Sequence, residues 1–166
     1  FENVNGLFNL DGHELIFSPR TYVKGAFAIW GQRGSSLPEK FIFAADILSP
    51  MSNSQKFGLA LNIRRDHSAL VFLIDPAEKK YSLGYWDGLL YHALVDWSDS
   101  EAVLGMLSTN RLMVECSQNE VSFIINGTVE EKVSLEEACN QGKLGVFILA
   151  PTWFISIDNP TLSYYK

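Results

Sequence analysis

Residues 110–128 read NRLMVECSQNEVSFIINGT. The runs LMVEC (112–116) and VSFII (121–125) carry the period-2 alternation of half-buried β-strands, joined by a polar break. Asn126-Gly127 closes the second run, and those residue types accept the φ > 0 that a type I′ turn requires. TVEEKV (128–133) continues beyond the turn as the next strand of a meander. This stretch is scaffold: its alternating faces supply one side of a core, and the Asn-Gly turn sets the register.

The same period recurs along the chain. LFNL (7–10) and HELIF (13–17) flank Asp11-Gly12, a hairpin signal. GAFAIW (25–30), EKFIFAADIL (39–48), FGLALNI (57–63), ALVFLI (69–74) and KKYSLGYW (79–86) follow, separated by turn-rich segments. Asp87-Gly88 turns the chain into LLYHALV (89–95). LGVFILA (144–150) and WFISI (153–157) close it. A single helix is expected near residues 134–140. There Ser134 and Glu137 form a capping box in SLEEACNQG, with Gly142 near the stop. Short strands with tight turns and one short helix predict a two-sheet antiparallel β-sandwich, with a closed barrel as the alternative. With no linker and no repeat, residues 1–166 form a single domain. The first residue is Phe1 rather than Met, so the chain is expected to be a mature or excised piece of a longer polypeptide.

Composition sets limits on function. The chain is 47% hydrophobic, 19% charged and 13% aromatic, which fits a globular domain and excludes a disordered one. At this length about 68–70% of the unfolded surface can be buried. A net charge of −6 without clustered Lys or Arg excludes a nucleic-acid binder. No apolar stretch approaches the ~20 residues needed to span a bilayer. The two cysteines, Cys116 and Cys139, are expected to be buried free thiols, with a disulfide as the alternative in an exported chain. Neither a zinc spacing nor a calcium-loop signature is present, and no cofactor is implied.

In order along the chain stand Trp97 to Ser100 (Trp-x-x-Ser), Asn110 to Val114 (Asn-Arg-Leu-x-Val) and Val121 to Gly127 (Val-x-Phe-x-Ile-Asn-Gly). Gly142 to Val146 (Gly-Lys-Leu-Gly-Val) and Ile157 to Asn159 (Ile-Asp-Asn) follow. Over residues 40–163 the chain resembles the concanavalin A-like lectin/glucanase jelly rolls, especially bacterial laminin G-like and 3-keto-disaccharide hydrolase-like domains. That resemblance implies a jelly-roll sandwich. It also implies one of three roles: a non-catalytic recognition module for glycan or protein, a glycoside hydrolase or lyase, or a structural interaction domain. A cell-surface or secreted location is the matching expectation.

Catalysis finds little support. Retaining glycosidases need two carboxyls about 5–5.5 Å apart. In the resembling glucanases these sit on one strand as Glu-x-Asp-x-x-Glu. Asp75-Pro-Ala-Glu78 comes nearest, but Leu73 occupies the first position and Pro76 makes the segment a turn. No G-x-S-x-G elbow is present, and the best acid–base pair, Asp66-His67, reads as a polar turn. Aromatic residues lead further. Sugar-binding sandwiches stack pyranose rings on exposed aromatics, with polar side chains taking the hydroxyls. Tyr85, Trp86, Tyr91 and His92 crowd the Asp87-Gly88 turn. On FGLALNIR the face of Gly58, Ala60, Asn62 and Arg64 is small, then polar, and leaves room for a ligand or for a closely packed strand. The candidate ligand-binding set is therefore Asn62, Arg64, Tyr85, Trp86, Tyr91 and His92, at a rim of one curved sheet. Trp30, Trp97 and Trp153 are assigned to the core. Asn126-Gly-Thr128 is an N-glycosylation sequon that would matter only in a secretory eukaryotic setting.

Overall fold

The computed structural model describes residues 2–4, 6–11, 14–19, 24–30, 40–48, 55–117, 120–134, 142–149 and 154–164. Among them the regular elements are strands: β1 (Glu2–Val4), β2 (Gly6–Asp11), β3 (Glu14–Pro19), β4 (Gly25–Trp30), β5 (Lys40–Leu48), β6 (Lys56–Ile63) and β7 (Ala69–Asp75). The second half adds β8 (Lys80–Trp86), β9 (Tyr91–Asp99), β10 (Asn110–Ser117), β11 (Glu120–Ile125), β12 (Thr128–Ser134), β13 (Lys143–Leu149) and β14 (Ile155–Tyr164). They form two seven-stranded antiparallel sheets, ordered β1-β4-β13-β6-β7-β8-β9 and β12-β11-β10-β5-β14-β3-β2. The expected sandwich is present.

Alternation decides which side chains meet between the sheets. Phe57, Leu59 and Leu61 of β6 and Leu70, Phe72 and Ile74 of β7 face Leu112 and Val114 of β10 and Val121, Phe123 and Ile125 of β11. The rings of Phe72 and Phe123 lie 4.9 Å apart between centroids and bridge the layers. The opening hairpin is thus core on one face, as its pattern predicts. Asn126 and Gly127 take φ of 49° and 87°, and Ile125 pairs with Thr128 across them.

A second apolar layer covers the other face of the first sheet. Phe27, Ile29, Ala60, Val71, Leu73, Trp86 and Phe147 are all buried there. This explains why β7, ALVFLID, is buried at every position: it lies mid-sheet with apolar neighbours on both faces.

Three expectations are corrected. The helix near 134–140 is not seen: Ser134 ends β12, paired with Glu120, and residues 135–141 lie outside the described residues. Cys116 is not a free thiol but is disulfide-bonded, and the chain's other cysteine, Cys139, lies outside the described residues. Trp97 is only half-buried, with Lys56 Nζ 4.7 Å from its ring centroid, a cation–π contact. Trp30 pairs through β4 with Leu144, and Trp153 lies outside the described residues.

Candidate functional site

Strand β8 organises the candidate residues. Tyr81 and Leu83 point into the inter-sheet core, while Trp86 joins the apolar layer on the opposite face. Tyr85 continues the row of Tyr81 and Leu83 but sits at the strand end, where it is 42% exposed. It pairs in register with Leu70 of β7 and His92 of β9, so the three side chains lie side by side.

The turn beyond Tyr85 is fixed by Asp87. Its Oδ1 accepts the backbone N–H groups of Leu89 and Leu90, each at 2.8 Å, and its Oδ2 lies 2.7 Å from His92 Nε2. The Leu90 amide first, then His92 and the Leu89 amide, pull the Asp87 carboxyl down to about 2. They do so because each favours the charged form.

The adjacent turn between β6 and β7 carries Arg64, Asp66 and His67, all exposed. Arg64 N donates to the Ser68 carbonyl at 2.9 Å. Asp66 Oδ1 accepts from Ser68 Oγ at 2.7 Å and from Ser68 N at 3.0 Å, and the hydroxyl bond above all lowers its pKa. The Asp66 carboxylate therefore serves its own turn. A Cβ placed on Gly88 would lie 3.0 Å from the Asp66 carbonyl oxygen, so the two turns touch. Arg64, Tyr85 and His92 accordingly share one end of the sheet.

The remaining candidates lie deeper. Trp86 is 4% exposed, its ring 5.1 Å from that of Phe147. The Tyr91 ring covers Gly84, where a Cβ would come within 2.7 Å of it. Its hydroxyl lies 2.6 Å from Ser82 Oγ, which donates to the Val95 carbonyl at 2.7 Å. Burial pushes the Tyr91 phenol up to about 12. Asn62 is buried with φ of 52°, and its Oδ1 has no hydrogen-bond partner among the described residues. At Gly58 a Cβ would run into the Phe72 carbonyl, and Ala60 is fully buried. The small residues of β6 therefore seat close neighbours. Among the described residues no group of three or more His, Cys, Asp or Glu is placed to hold a metal ion.

One polar network went unread in the sequence. Asn126 Nδ2 donates to the Ala102 carbonyl at 2.8 Å and to Asn110 Oδ1 at 2.9 Å, while its Oδ1 accepts Arg111 N at 2.8 Å. Asn110 Oδ1 also accepts Leu104 N at 2.9 Å. Asn-Gly signals the turn, but nothing local signals that its amide latches the segment after β9.

No family model and no curated protein matches the chain. Solved structures do. The carbohydrate binding module CBM66 from Bacillus subtilis superposes with a TM-score of 0.76 at 12% identity, covering 98% of this chain and 94% of that one. A Bacillus subtilis protein of unknown function with a galectin-like fold gives 0.70 at 16% identity, covering 96% and 86%. The likeness is one of fold, a two-sheet antiparallel β-sandwich. A glycoside hydrolase family 16 endo-glucanase from Bacteroides ovatus shares it, with a TM-score of 0.63, 10% identity and coverage of 96% and 85%. β6, β7, β8 and β9 are successive neighbours within one sheet, so the β6–β7 and β8–β9 turns bring Arg64, Tyr85 and His92 to one end of it.

Proposed function

We propose that this domain is a non-catalytic glycan-recognition module that takes a sugar at the rim formed by the β6–β7 and β8–β9 turns. The observation that carries this reading is the exposed Tyr85 ring, set beside His92 and near the turn that bears Arg64. A pyranose face stacks on an aromatic ring, and imidazole and guanidinium groups bond its hydroxyls. Trp86 and Tyr91 act beneath, as packing that holds β8 and β9 together, while the buried Asn62 lies against Gly142 and outside the proposed contact set. The fold likeness to a carbohydrate binding module supports the reading as analogy.

The hydrolase alternative has less behind it. Asp46 pairs with Arg111, Asp75 caps its own turn, Asp87 holds the hairpin and Glu130 accepts the Ser100 hydroxyl. Each of these carboxylates has a contact within the fold, and no pair of them is set across a shared cleft among the described residues. The Cys116 disulfide supports an extracellular or cell-envelope setting, where such bonds persist.

A glycan array followed by calorimetry tests the proposal. Binding is expected to be weak, and Tyr85→Ala should reduce it roughly fivefold, about 1 kcal/mol. A blank array, or binding indifferent to Tyr85→Ala, would sink the rim site. Turnover of a chromogenic glycoside would favour the hydrolase.

A further inference from the structure

Large apolar side chains at the surface are not scattered. Besides Tyr85, those among the described residues are Leu89, Leu90 and Leu94 of the β8–β9 hairpin, Leu104, Met106 and Leu107 of the following loop, and Val129 of β12. β9 ends one sheet and β12 ends the other. Tyr81 Oη donates to the Glu130 carbonyl at 3.2 Å and Ser100 Oγ to Glu130 Oε1 at 2.6 Å, which ties these two edges along one flank. Among the described residues, the exposed large apolar side chains other than Tyr85 therefore gather along that flank and at its β8–β9 turn, which is how docking surfaces differ from ordinary surface.

Charge on the same flank is predominantly acidic. From Tyr81 to Asn110 the chain has no Lys or Arg, but it has Asp87, Asp96, Asp99 and Glu101. At the far end of β9 an open depression of about 490 Å³ is lined by Glu78, Lys79, Asp99, Ser100 and Glu101. Lys79 and Lys80 offset part of this charge, with Lys80 Nζ 3.9 Å from Asp99. Two such flanks facing each other would repel, which argues against a second copy of this chain as the occupant.

We infer that the β9 flank docks an extended segment of another protein in which apolar and Lys or Arg side chains alternate. Edge strands accept added strands through their free backbone groups. The alternate apolar residues of the guest would cover Leu90 and Leu94. One of its cations would enter the acidic depression. The register shifts of β9 against β8 leave a twisted edge, which suits a short guest and disfavours sheet-to-sheet stacking.

The test uses a fluorescein-labelled peptide of alternating lysine and valine, and its glutamate–valine counterpart, with anisotropy as the readout. The lysine peptide should bind in a salt-sensitive manner and the glutamate peptide should not. The exposed double variant Leu90→Ser/Leu94→Ser keeps the charge and should weaken binding by about tenfold or more. Asp99→Asn/Glu101→Gln should also weaken it. Backbone amides of residues 91–99 should gain protection from hydrogen exchange in the complex. Equal affinity of the leucine double variant would mean charge attraction alone and would overturn the proposal, as would no binding. Concentration-dependent dimerisation abolished by the leucine variant would make a second copy the occupant and overturn it equally.

Discussion

Asn126 donates its side-chain amide to Asn110 Oδ1 across 2.9 Å, and through Asn110 the turn after β11 holds the segment that leads into β10. Asn126→Asp replaces that donor with an anion facing two carbonyl-type oxygens. The variant should lose roughly 2–3 kcal/mol of unfolding free energy in urea. Asn126→Gly keeps the positive φ and should lose less, about 1 kcal/mol. An Asn126→Gly variant as stable as the parent would show that the latch contributes nothing beyond the turn.

Phe72 and Phe123 join the two sheets, and both are fully buried. Phe123→Ala should destabilise the domain by about 3–5 kcal/mol through lost contact and a residual cavity. A cost below about 1 kcal/mol in calorimetric melts would mean that the sheets pack without this bridge.

The Asp87 carboxyl, drawn down to about 2 from an ordinary 3.8, gives the β8–β9 turn a defined acid response. Its folded-state pKa is below the unfolded one, so its contribution is complete above pH 3.8 and is lost as pH falls through about 2. NMR titration of the Asp87 carboxyl carbon should find a midpoint near 2. A midpoint at the ordinary aspartate value would mean that the Leu89, Leu90 and His92 bonds are absent in solution.

Tyr91 and Ser82 form a short relay to the Val95 carbonyl, where β9 departs from regular register. Tyr91→Phe should cost about 0.5–1.5 kcal/mol, and Ser82→Ala more, since it leaves both the phenol and the Val95 carbonyl without their partner. The reverse ranking would refute the relay.

Cys116 is in disulfide linkage. Iodoacetamide added to unreduced, denatured protein should leave Cys116 unlabelled, and prior reduction should expose it. Labelling without reduction would restore the free thiol.

The strands were legible because alternation of apolar residues is a local property that sheets impose everywhere. LMVEC and VSFII became β10 and β11 within two residues of their predicted ends. The candidate rim was half legible. Tyr85, His92 and Arg64 reach the surface together because hairpin turns bring chain neighbours side by side. Trp86 and Tyr91 differ, because a second apolar layer on the same sheet is a non-local fact that β8 alone cannot announce. The Asn126 latch joins residues separated by 16 and 24 positions, which no window of sequence spans. Ser134 ends β12, and the segment that its capping signal addresses lies outside the described residues.

β7 has a last implication, concerning misassembly. ALVFLI is short, apolar, uncharged and free of Pro and Gly, which is the composition of an amyloid-forming segment. In the native domain its edges are taken by β6 and β8, and its faces are closed by the two apolar layers. The β8–β9 hairpin lies outermost, so its detachment would uncover one edge of β7 while leaving most of the sandwich folded. The hairpin thus acts as a sheath, and variants that loosen it should form fibrils before they unfold.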